Sequence, residues 1–596
     1  MHRLRSVLAA IARRARLARR ARLAPGTLAA LTISLALSSP VAISTVRAEG
    51  PAAIDRPGLA AALDRIDAAS LSAPVRFLSS DTLEGRGPGS AGDRLARLYL
   101  ATGLEGLGLQ PGVGAAGGAP GAAAGELSWQ QPFPMIGILS QVPPQWAFSG
   151  PGGDLELEWW DEFIAASGVQ QATAGIRDAE VVFVGYGIQA PEFGWDDFKG
   201  VDLRGKVLLM LNNDPDWDEA LFAGKRRLLY GRWTYKYESA ARQGAAGAIL
   251  IHTTPSAGYP FQVVQSSWTS EQFELPAGDE PRLQVAGWTT ESAAERLVAL
   301  SGRKLAELVE AAKSKSFRPV ALGLRTSLAL TTVIRQVETG NVAGLLPGSD
   351  PRLAEEVVVY TAHHDHLGVA KPDMEGDSIY NGAVDNATGC AQLLALAKAF
   401  VALPERPRRS ILFLFVAAEE QGLLGSEYYA THPTVPPARL AASINLDSAN
   451  IYGRTRDVTY VGLGKSSLDA VVIAAAAAQG RIVHGDPAPE KGSFYRSDQF
   501  NFARIGVPAI YLDPGTELVG EGAAAAKARQ DAYDSTCYHQ PCDEMSDGWV
   551  WDGMIEDTRL ALAIGLAIAD ADALPTWNPG DEFAAARRAA LAEAGR

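Results

Sequence analysis

Three histidines and an acid follow one apolar run of the sequence. The β-branched residues Val357–Val359 predict a buried strand, and His363, His364, Asp365 and His366 come directly after it. Alternate side chains of an extended chain share a face, so His363 and Asp365 should point the same way, opposite to His364. A metal-binding imidazole commonly donates its second N–H to a carboxylate. The segment therefore predicts a zinc ligand at His363 with Asp365 as its partner.

Further candidate ligands occur downstream, each after a predicted strand or in a late loop. They are Asp385, the pair Glu419 and Glu420, Asp447 and His539. Singly, each has an ordinary structural explanation, since an Asp before a helix is a common N-cap. Together they are the nitrogen and oxygen donors that zinc accepts. Adjacent carboxylates repel each other without a cation, so we expect one glutamate to bind metal and the other to act as a general base.

The elements that must position these residues alternate between strands and helices from about residue 325 onward. Continuous apolar runs such as Ile411–Val416 are typical of strands covered on both faces. The strands are predicted at about 327–335, 355–361, 410–417, 442–447, 458–463 and 507–512, and the helices at 386–402, 421–431, 466–479 and 554–573. This alternation predicts an α/β fold with a mostly parallel mixed sheet flanked by helices. The carboxyl ends of its strands would bring the ligands together.

The chain of 596 residues is too long for one compact core. Its N-terminal part predicts helices at 57–79 and 91–108 and a strand at 130–136. A change to short strands with turn signals then predicts a smaller inserted domain of α and β elements. The predicted divisions are an N-terminal part of the catalytic domain at 49–139, the insert at 140–322, the main catalytic part at 323–576 and a polar, partly helical tail at 577–596.

Residues 1–48 are predicted to be a signal peptide. They contain nine arginines and no acid, an apolar stretch over 28–43 and a small-residue cleavage pattern at 46–48. Pro40 argues against the alternative of a retained membrane anchor, and a mis-assigned start codon would also explain the excess arginine. We expect export to the periplasm or the medium, with no stable membrane insertion after cleavage.

Charge and cysteine content bear on partners and compartment. The chain has 54 basic and 68 acidic residues, a formal net charge of −14, and it becomes more acidic when 1–48 are removed. An acidic exported protein is a poor candidate for binding nucleic acid or anionic membranes. Cys390 is expected to be buried, while Cys537 and Cys542 would either pair in an oxidising compartment or stay reduced. The oligomeric state is not indicated.

The motifs together resemble the M28 family of cocatalytic zinc peptidases, most of which are aminopeptidases. The resemblance extends over about residues 57–575, and its specific motifs are Ala362–Gly368, Gly382–Asn386, Glu419–Ser426, Asn445–Asp447 and Tyr538–Pro541. One departure is Val384, where the family often has a second acid. The resemblance gives no ligand role to His364 or His366.

The insert resembles the protease-associated domain, a frequent insertion in this family. The resemblance rests on Val184–Gly187, on Val201–Lys206 and on the alanine-rich passage from a predicted helix into the strand at 245–251. It implies that the insert is not catalytic and that it gates or extends the substrate cleft.

The resemblance implies two zinc ions and a ligand set. His363 and Asp447 would bind one ion, and Glu420 and His539 would bind the other. Asp385 would bridge both ions, and a cis peptide bond would follow it.

The resemblance also implies the catalytic groups. Glu419 would be the general base for a zinc-bridging water, Asp365 would orient His363, and Tyr538 is a candidate donor to the oxyanion. The expected function is that of an exopeptidase that removes N-terminal residues from peptide substrates.

Three alternatives stay open at this point. A carboxypeptidase or a glutaminyl-cyclase-like enzyme would use the same fold, and a catalytically silent binding protein would keep it. A cluster of arginines that binds a substrate carboxylate would favour the carboxypeptidase. Arg496 is the arginine of interest, although one residue does not make a cluster.

Overall fold

The computed structural model describes residues 56–114, 127–219 and 221–596. The segment predicted as a signal peptide, 1–48, lies outside the described residues. Among the described helices, none is long and apolar enough to cross a lipid bilayer.

The N-terminal part contains three helices and a group of strands. They are α1 (Leu59–Leu63), α2 (Ala68–Leu78), α3 (Ala91–Gly106), β1 (Gln110–Pro111), β2 (Val113–Gly114), β3 (Leu127–Ser128) and β4 (Gln130–Gln141). The helix predicted at 57–79 is therefore two helices. The second begins because the Asp67 carboxylate accepts from the backbone N–H of Ser70 at 2.7 Å, while the Ser70 hydroxyl accepts from the Asp67 N–H at 3.0 Å.

The middle of the chain has a sheet and a core of its own. Its strands are β5 (Gln145–Gly150), β6 (Gly153–Glu158), β7 (Phe163–Ser167), β8 (Thr173–Phe183), β9 (Gln189–Ala190), β10 (Trp195–Asp196), β11 (Val207–Leu211), β12 (Gly247–His252), β13 (Gln272–Glu274) and β14 (Val285–Thr290). Its helices are α4 (Trp233–Arg242), α5 (Thr254–Ala257), α6 (Phe261–Trp268), α7 (Glu291–Ala299) and α8 (Leu305–Ala312). Strands β8, β11, β12 and β14 are parallel neighbours, and β7 pairs antiparallel with β14.

One long strand, β15 (Val320–Leu346), connects the insert to the catalytic sheet. It pairs with β8 and β5 near its start, with β4 along its middle and with β19 (Ser410–Val416) at its end, always antiparallel. The sequence predicted only 327–335 as a strand, because burial alternates in the first half of β15 and is continuous in its last residues. The predicted boundary at 322/323 falls inside this strand, so the domain division stays a prediction.

The catalytic part carries the remaining elements. Its other strands are β16 (Val357–His363), β17 (Gly368–Val369), β18 (Ile379–Tyr380), β20 (Leu440–Leu446), β21 (Asp457–Val461), β22 (Ile482–Gly485) and β23 (Ala509–Asp513). Its helices are α9 (Thr388–Val401), α10 (Leu424–Thr431), α11 (Leu468–Ala478), α12 (Gln499–Arg504), α13 (Ala523–Thr536), α14 (Trp551–Asp570) and α15 (Ala584–Glu593).

The catalytic sheet is mixed and mostly parallel. Strands β19, β16, β20 and β23 are parallel neighbours in that order, and β15 and β21 flank them in the antiparallel direction. Every residue of β16, β19 and β20 is buried, which is the burial expected of strands with helices on both faces. The predicted fold class is confirmed, and the central parallel strands end on the same edge of the sheet.

The C-terminal tail is packed against the catalytic part. The side chains of Trp577 and Phe583 are buried in one cluster with Phe494. The Arg587 guanidinium donates to the carbonyls of Pro437 and Leu440 at 2.8 and 3.1 Å. Residues 577–596 therefore contribute to the core, although their composition reads as a polar tail.

Candidate metal centre

The first group of ligands forms where two neighbouring parallel strands end. His363 is the last residue of β16, and Asp447 follows β20. The Nε2 atom of His363 lies 2.8 Å from Oδ1 of Asp447 and 3.1 Å from Oδ1 of Asp385, which comes from the turn before α9. One nitrogen and two carboxylates thus meet within reach of one cation.

A second group lies on the other side of Asp385. Glu420 follows β19, and His539 comes from the loop after α13. The Nε2 atom of His539 is 3.2 Å from Oδ2 of Asp385 and 3.2 Å from Oε2 of Glu420. Asp385 therefore faces His363 with one oxygen and His539 with the other. This is the arrangement of a carboxylate that bridges two cations.

His366 also lies beside the second group, although the family resemblance gives it no ligand role. Its Nδ1 atom is 2.7 Å from Oε1 of Glu420, and His366, Asp385 and Glu420 form a set of donor atoms close enough to hold a metal ion. The Nε2 atom is buried without a hydrogen bond within the described residues. The position of the His366 ring also requires glycine at 382, because a Cβ atom there would lie 2.5 Å from the Cγ atom of His366.

His364 points away from the centre, as the alternation of the strand predicts. Its Nε2 atom lies 3.1 Å from Oδ1 of the buried Asp93 on α3. That carboxylate also pairs with Arg97. His364 is therefore part of the packing between β16 and the N-terminal helices.

The charges at the centre suit a divalent cation. Burial disfavours every charge here, yet the carboxylates of Asp447 and Asp385 raise the pKa of His363 well above its ordinary value. In the same way Glu420 and Asp385 raise the pKa of His539 against the effect of burial. The carboxylates thus stabilise the protonated, positively charged form of both imidazoles. A metal ion supplies that charge and binds neutral imidazole, so the residues present fit zinc.

Asp365 does not hold the ring of His363 with its carboxylate. The Nδ1 atom of His363 lies 3.2 Å from the Asp365 carbonyl oxygen and 3.8 Å from the carboxylate, which is beyond hydrogen-bond distance. The carboxylate instead accepts from the backbone N–H of Glu419 at 3.1 Å. β16 ends at His363, so Asp365 lies beyond the strand, and its role in orienting His363 stays a prediction.

Glu419 lies beside the first group with its carboxylate free. Among the described residues, no hydrogen bond or ion pair engages that side chain, whereas Asp385, Glu420 and Asp447 are all engaged. Burial raises the pKa of Glu419 well above its ordinary value, and Asp447 and Glu420 add to this effect while His363 opposes it. A carboxyl group with a raised pKa is suited to accept and return a proton near neutral pH.

Asp385 is positioned by an acid that the sequence did not single out for a role. The carboxylate of Asp543 accepts from the backbone N–H of Val384 at 3.0 Å and from that of Asp385 at 3.1 Å. The peptide bond between Asp385 and Asn386 is cis, as the family resemblance implied. Asp543 lies four residues after His539, so a second acid beside a predicted ligand was the available signal.

The loop that carries His539 is closed by a disulfide bond. Cys537 and Cys542 are bonded, with their Cα atoms 5.1 Å apart, which settles the alternative left open by the sequence. The ring of Tyr538 stacks on His539 with centroids 4.0 Å apart, and its side chain is exposed. Tyr538 is therefore accessible from solvent beside His539.

Ser497 is a further contact of the centre that sequence reasoning missed. Its hydroxyl donates to Oδ2 of Asp447 and accepts from the Asn445 amide at 2.7 Å. Fifty residues separate it from Asp447, so no local pattern indicated the contact.

The donor set fits a zinc site, and comparison with known proteins shows which family this region is similar to. The profile of peptidase family M28 matches residues 341–564, which contain all five predicted ligands. This part of the chain is similar to peptidase family M28.

Among curated relatives, aminopeptidase Y of Saccharomyces cerevisiae is 26% identical over 40% of this chain and 41% of its own length. A probable zinc metalloprotease of Pyrenophora teres f. teres is 37% identical over 19% of this chain and 23% of its own length. The chain thus spans less than half of the length of these relatives. Among solved structures, an aminopeptidase from Aneurinibacillus sp. strain AM-1 has 18% identity and a TM-score of 0.47, with 86% of this chain and 96% of that chain covered.

Proposed function

We propose that this chain is an exported aminopeptidase with two zinc ions, which removes N-terminal residues from peptides. The observation that carries the proposal is the pair of ligand groups that share Asp385, with the free carboxylate of Glu419 beside them. His363 and Asp447 would hold one ion, and Glu420 and His539 would hold the other. His366 is close enough to the second group to join it.

The proposed chemistry divides between the ions and the protein. When bound, zinc lowers the pKa of water and polarises a peptide carbonyl. Glu419 then accepts a proton from the attacking water and passes it to the leaving amine. Asp365 keeps Glu419 in place through its hydrogen bond to the backbone N–H. The Tyr538 hydroxyl donates to the oxygen on which negative charge develops.

Negative charge near the centre supports an aminopeptidase. Burial raises the pKa of Asp513 to about 6, and the nearby carboxylates of Asp447, Asp486 and Asp534 add to that shift. Such a concentration of acids attracts the ammonium group of a peptide N-terminus. The name of the yeast relative agrees with this assignment.

Two further parts of the proposal concern the N-terminal segment and the insert. The arginine-rich and apolar composition of 1–48 supports export. The resemblance of the insert to a protease-associated domain supports a role at the edge of the substrate cleft. No residue of the insert is among the ligand groups of the described chain.

The test is hydrolysis of leucine p-nitroanilide by the zinc-loaded protein, compared with an N-acetylated peptide and with chelator-treated protein. We expect cleavage of the substrate with a free amine only, and loss of cleavage with the chelator. Cleavage of the N-acetylated peptide would favour the carboxypeptidase instead. Zinc binding without any hydrolysis would favour a silent binding protein.

A further inference from the structure

The two adjacent glutamates of the metal centre lie in one short loop. Residues 417–425 connect β19 to the first turn of α10, and we call them the glutamate loop because Glu419 and Glu420 are among them. The backbone N–H of Gly425 donates to the Ala417 carbonyl at 2.8 Å, so the two ends of the loop are in contact. A group that fixes these ends therefore also fixes the backbone that carries both glutamates.

One buried side chain contacts both ends of the glutamate loop. The Oδ1 atom of Asn341 accepts from the backbone N–H of Ala417 at 3.0 Å, and its Nδ2 atom donates to the Gly425 carbonyl at 2.8 Å. Asn341 is in β15, and its side chain is fully buried. The backbone pairing of β15 with β19 ends at the next residue, where Val342 lies opposite Phe415. The amide of Asn341 therefore continues the pairing where the backbones separate.

The contact between Asn341 and the glutamate loop is close. A Cβ atom at Gly425 would lie 2.5 Å from Oδ1 of Asn341 and 2.3 Å from the Ala417 carbonyl oxygen, so this position requires glycine. The loop backbone also has left-handed torsion angles at Ala418, with φ of 56°, and at Leu423, with φ of 66°. Residues other than glycine rarely adopt such angles, and they persist where surrounding contacts impose them. Asn341 supplies two of those contacts.

A second buried amide fixes the orientation of Asn341. Gln131 of β4 lies directly opposite Asn341 in the antiparallel pairing of β4 with β15. Its Oε1 atom accepts from Nδ2 of Asn341 at 2.9 Å, and its Nε2 atom donates to the carbonyl of His432, the residue after α10, at 3.0 Å. Both hydrogens and the oxygen of the Asn341 amide are thus engaged. The two amides contact the chain on both sides of α10.

We infer that Asn341 is a positioning residue for Glu419, an inference that rests on the proposed peptidase function. Within the described chain no hydrogen bond engages the Glu419 carboxylate, so its position follows that of the loop backbone. Asp365 holds this backbone in the middle, at the N–H of Glu419, and Asn341 holds it at both ends. A general base must lie within hydrogen-bond distance of the proton that it accepts, and a displacement of about 1 Å costs up to about 10²-fold in rate.

Replacing Asn341 by Leu should lower the turnover of folded, zinc-saturated protein. Leucine has a similar size but forms no hydrogen bond, so the Ala417 N–H and the Gly425 carbonyl lose their partner. We expect kcat for leucine p-nitroanilide to fall about 10- to 100-fold while KM stays within about threefold of the wild type. A wild-type kcat in the folded variant would overturn the inference.

Thr339→Val is the matched control for a loss of stability alone. Thr339 lies in the same strand as Asn341 and is equally buried, but its hydroxyl donates to the Asp93 carboxylate at 3.1 Å. We expect this variant to unfold at a lower urea concentration and to keep the wild-type kcat. An equal loss of kcat in Thr339→Val and Asn341→Leu would assign the effect to general destabilisation and overturn the inference.

Asn341→Asp keeps the inference testable if Asn341→Leu does not fold. The carboxylate has the shape of the amide and still accepts from the Ala417 N–H, but it cannot donate to the Gly425 carbonyl. We expect kcat to be about 3- to 10-fold below the wild-type value, as the loss of one hydrogen bond predicts. An unchanged kcat would overturn the inference.

Amide hydrogen exchange separates this inference from the proposed function, because it requires no hydrolysis. We expect the backbone amides of 417–425 to exchange at least about 10-fold faster in Asn341→Leu than in the wild type, measured by mass spectrometry of the purified proteins. In Thr339→Val they should exchange at the wild-type rate. Faster exchange confined to Asn341→Leu supports the positioning of Glu419 even if no peptide is cleaved. Unchanged exchange in Asn341→Leu overturns it even if aminopeptidase activity is found.

Discussion

Glu419 and Glu420 are neighbours in sequence with different surroundings. The Glu420 carboxylate lies between His366 and His539, and burial notwithstanding, these neighbours lower its pKa to about 2. Glu419 has a raised pKa because burial and nearby acids disfavour its charge. The pair thus separates into a group that stays ionised and a group that exchanges a proton, which is the division of roles in the proposed mechanism.

Replacing Glu419 by Gln should keep the zinc content and abolish most turnover. The amide has the shape of the carboxylate but cannot accept a proton, so we expect kcat to fall by about 10²- to 10⁴-fold. Zinc content and leucine p-nitroanilide hydrolysis are the two measurements. Glu375→Gln, at an exposed position, is the control. A normal kcat in Glu419→Gln would remove Glu419 from the role of base.

Replacing His366 by Ala should weaken metal binding at the second group. Its buried ring is 2.7 Å from Glu420 and has no other polar partner within the described residues. Loss of a residue that binds or orients a ligand typically costs about 10- to 100-fold in metal affinity. Zinc titration of the variant measures this, with the exposed His484→Ala as control. Unchanged zinc affinity would show that His366 neither binds the metal nor orients a ligand.

The sequence predicted some residues of the metal centre and missed others. The five predicted ligands were recognisable because they follow strands or stand in a motif. Asp543 and Ser497 act through contacts with segments at least fifty residues away, and no local pattern encodes such contacts. The Asp365 carboxylate accepts from the backbone N–H of Glu419, 54 residues away, and no local pattern indicated that contact.

At the scale of elements, the side chain of Arg86 connects three backbone segments around the metal centre through hydrogen bonds. Its buried guanidinium donates to the carbonyls of His364 at 2.8 Å, Asn381 at 2.7 Å and Gly382 at 3.0 Å, and also to that of Leu78. These carbonyls belong to the end of α2, to the segment after β16 and to the segment that presents Asp385. One side chain therefore fixes the distance between two ligand-bearing segments.

Arg86→Met should destabilise the protein and loosen the centre. Four buried carbonyls would lose their donor, which we expect to cost about 3–5 kcal/mol of unfolding free energy. Denaturant unfolding measures the loss, and zinc titration should show weaker binding. Arg94→Met, at an exposed position with one hydrogen bond to the Gly89 carbonyl, should cost less than about 1 kcal/mol. Equal costs in both variants would contradict this role of Arg86.

The strands that the sequence predicted share one physical property. Strands β16, β19, β20 and β23 were predicted because strands with both faces covered are continuously apolar. Strand β22 was missed because it is short and half-exposed at the end of the sheet, and helix α13 was missed because it is mostly exposed. The sequence predicted only part of the long β15, because burial alternates in its first half and is continuous in its last residues.

At the scale of the whole molecule, the insert leaves and returns through adjacent strands. Gln141 at the end of β4 pairs with Thr331 of β15, so the intervening 142–330 begin and end at neighbouring positions. The catalytic sheet does not depend on the insert for the parallel strands that carry the ligands.

Replacing 142–330 by Asn-Gly should leave a folded zinc protein. The two residues match the tight turn that joins antiparallel strands. We expect the variant to bind zinc and to cleave leucine p-nitroanilide, because the predicted ligands and Glu419 all lie outside 142–330. Circular dichroism, zinc content and kcat/KM check this in one preparation. A folded variant that has lost its zinc would contradict the independence of the metal centre from the insert.

The central claim is that Asp385 joins two zinc ions in one centre, and the zinc content of the purified protein tests it most directly. We predict two zinc ions per wild-type chain, measured by mass spectrometry of the metal against protein concentration. In Asp385→Ala both groups lose a ligand, so we predict less than one ion per chain at the same free zinc concentration. A single ion in the wild type, or two ions retained in Asp385→Ala, would contradict the claim.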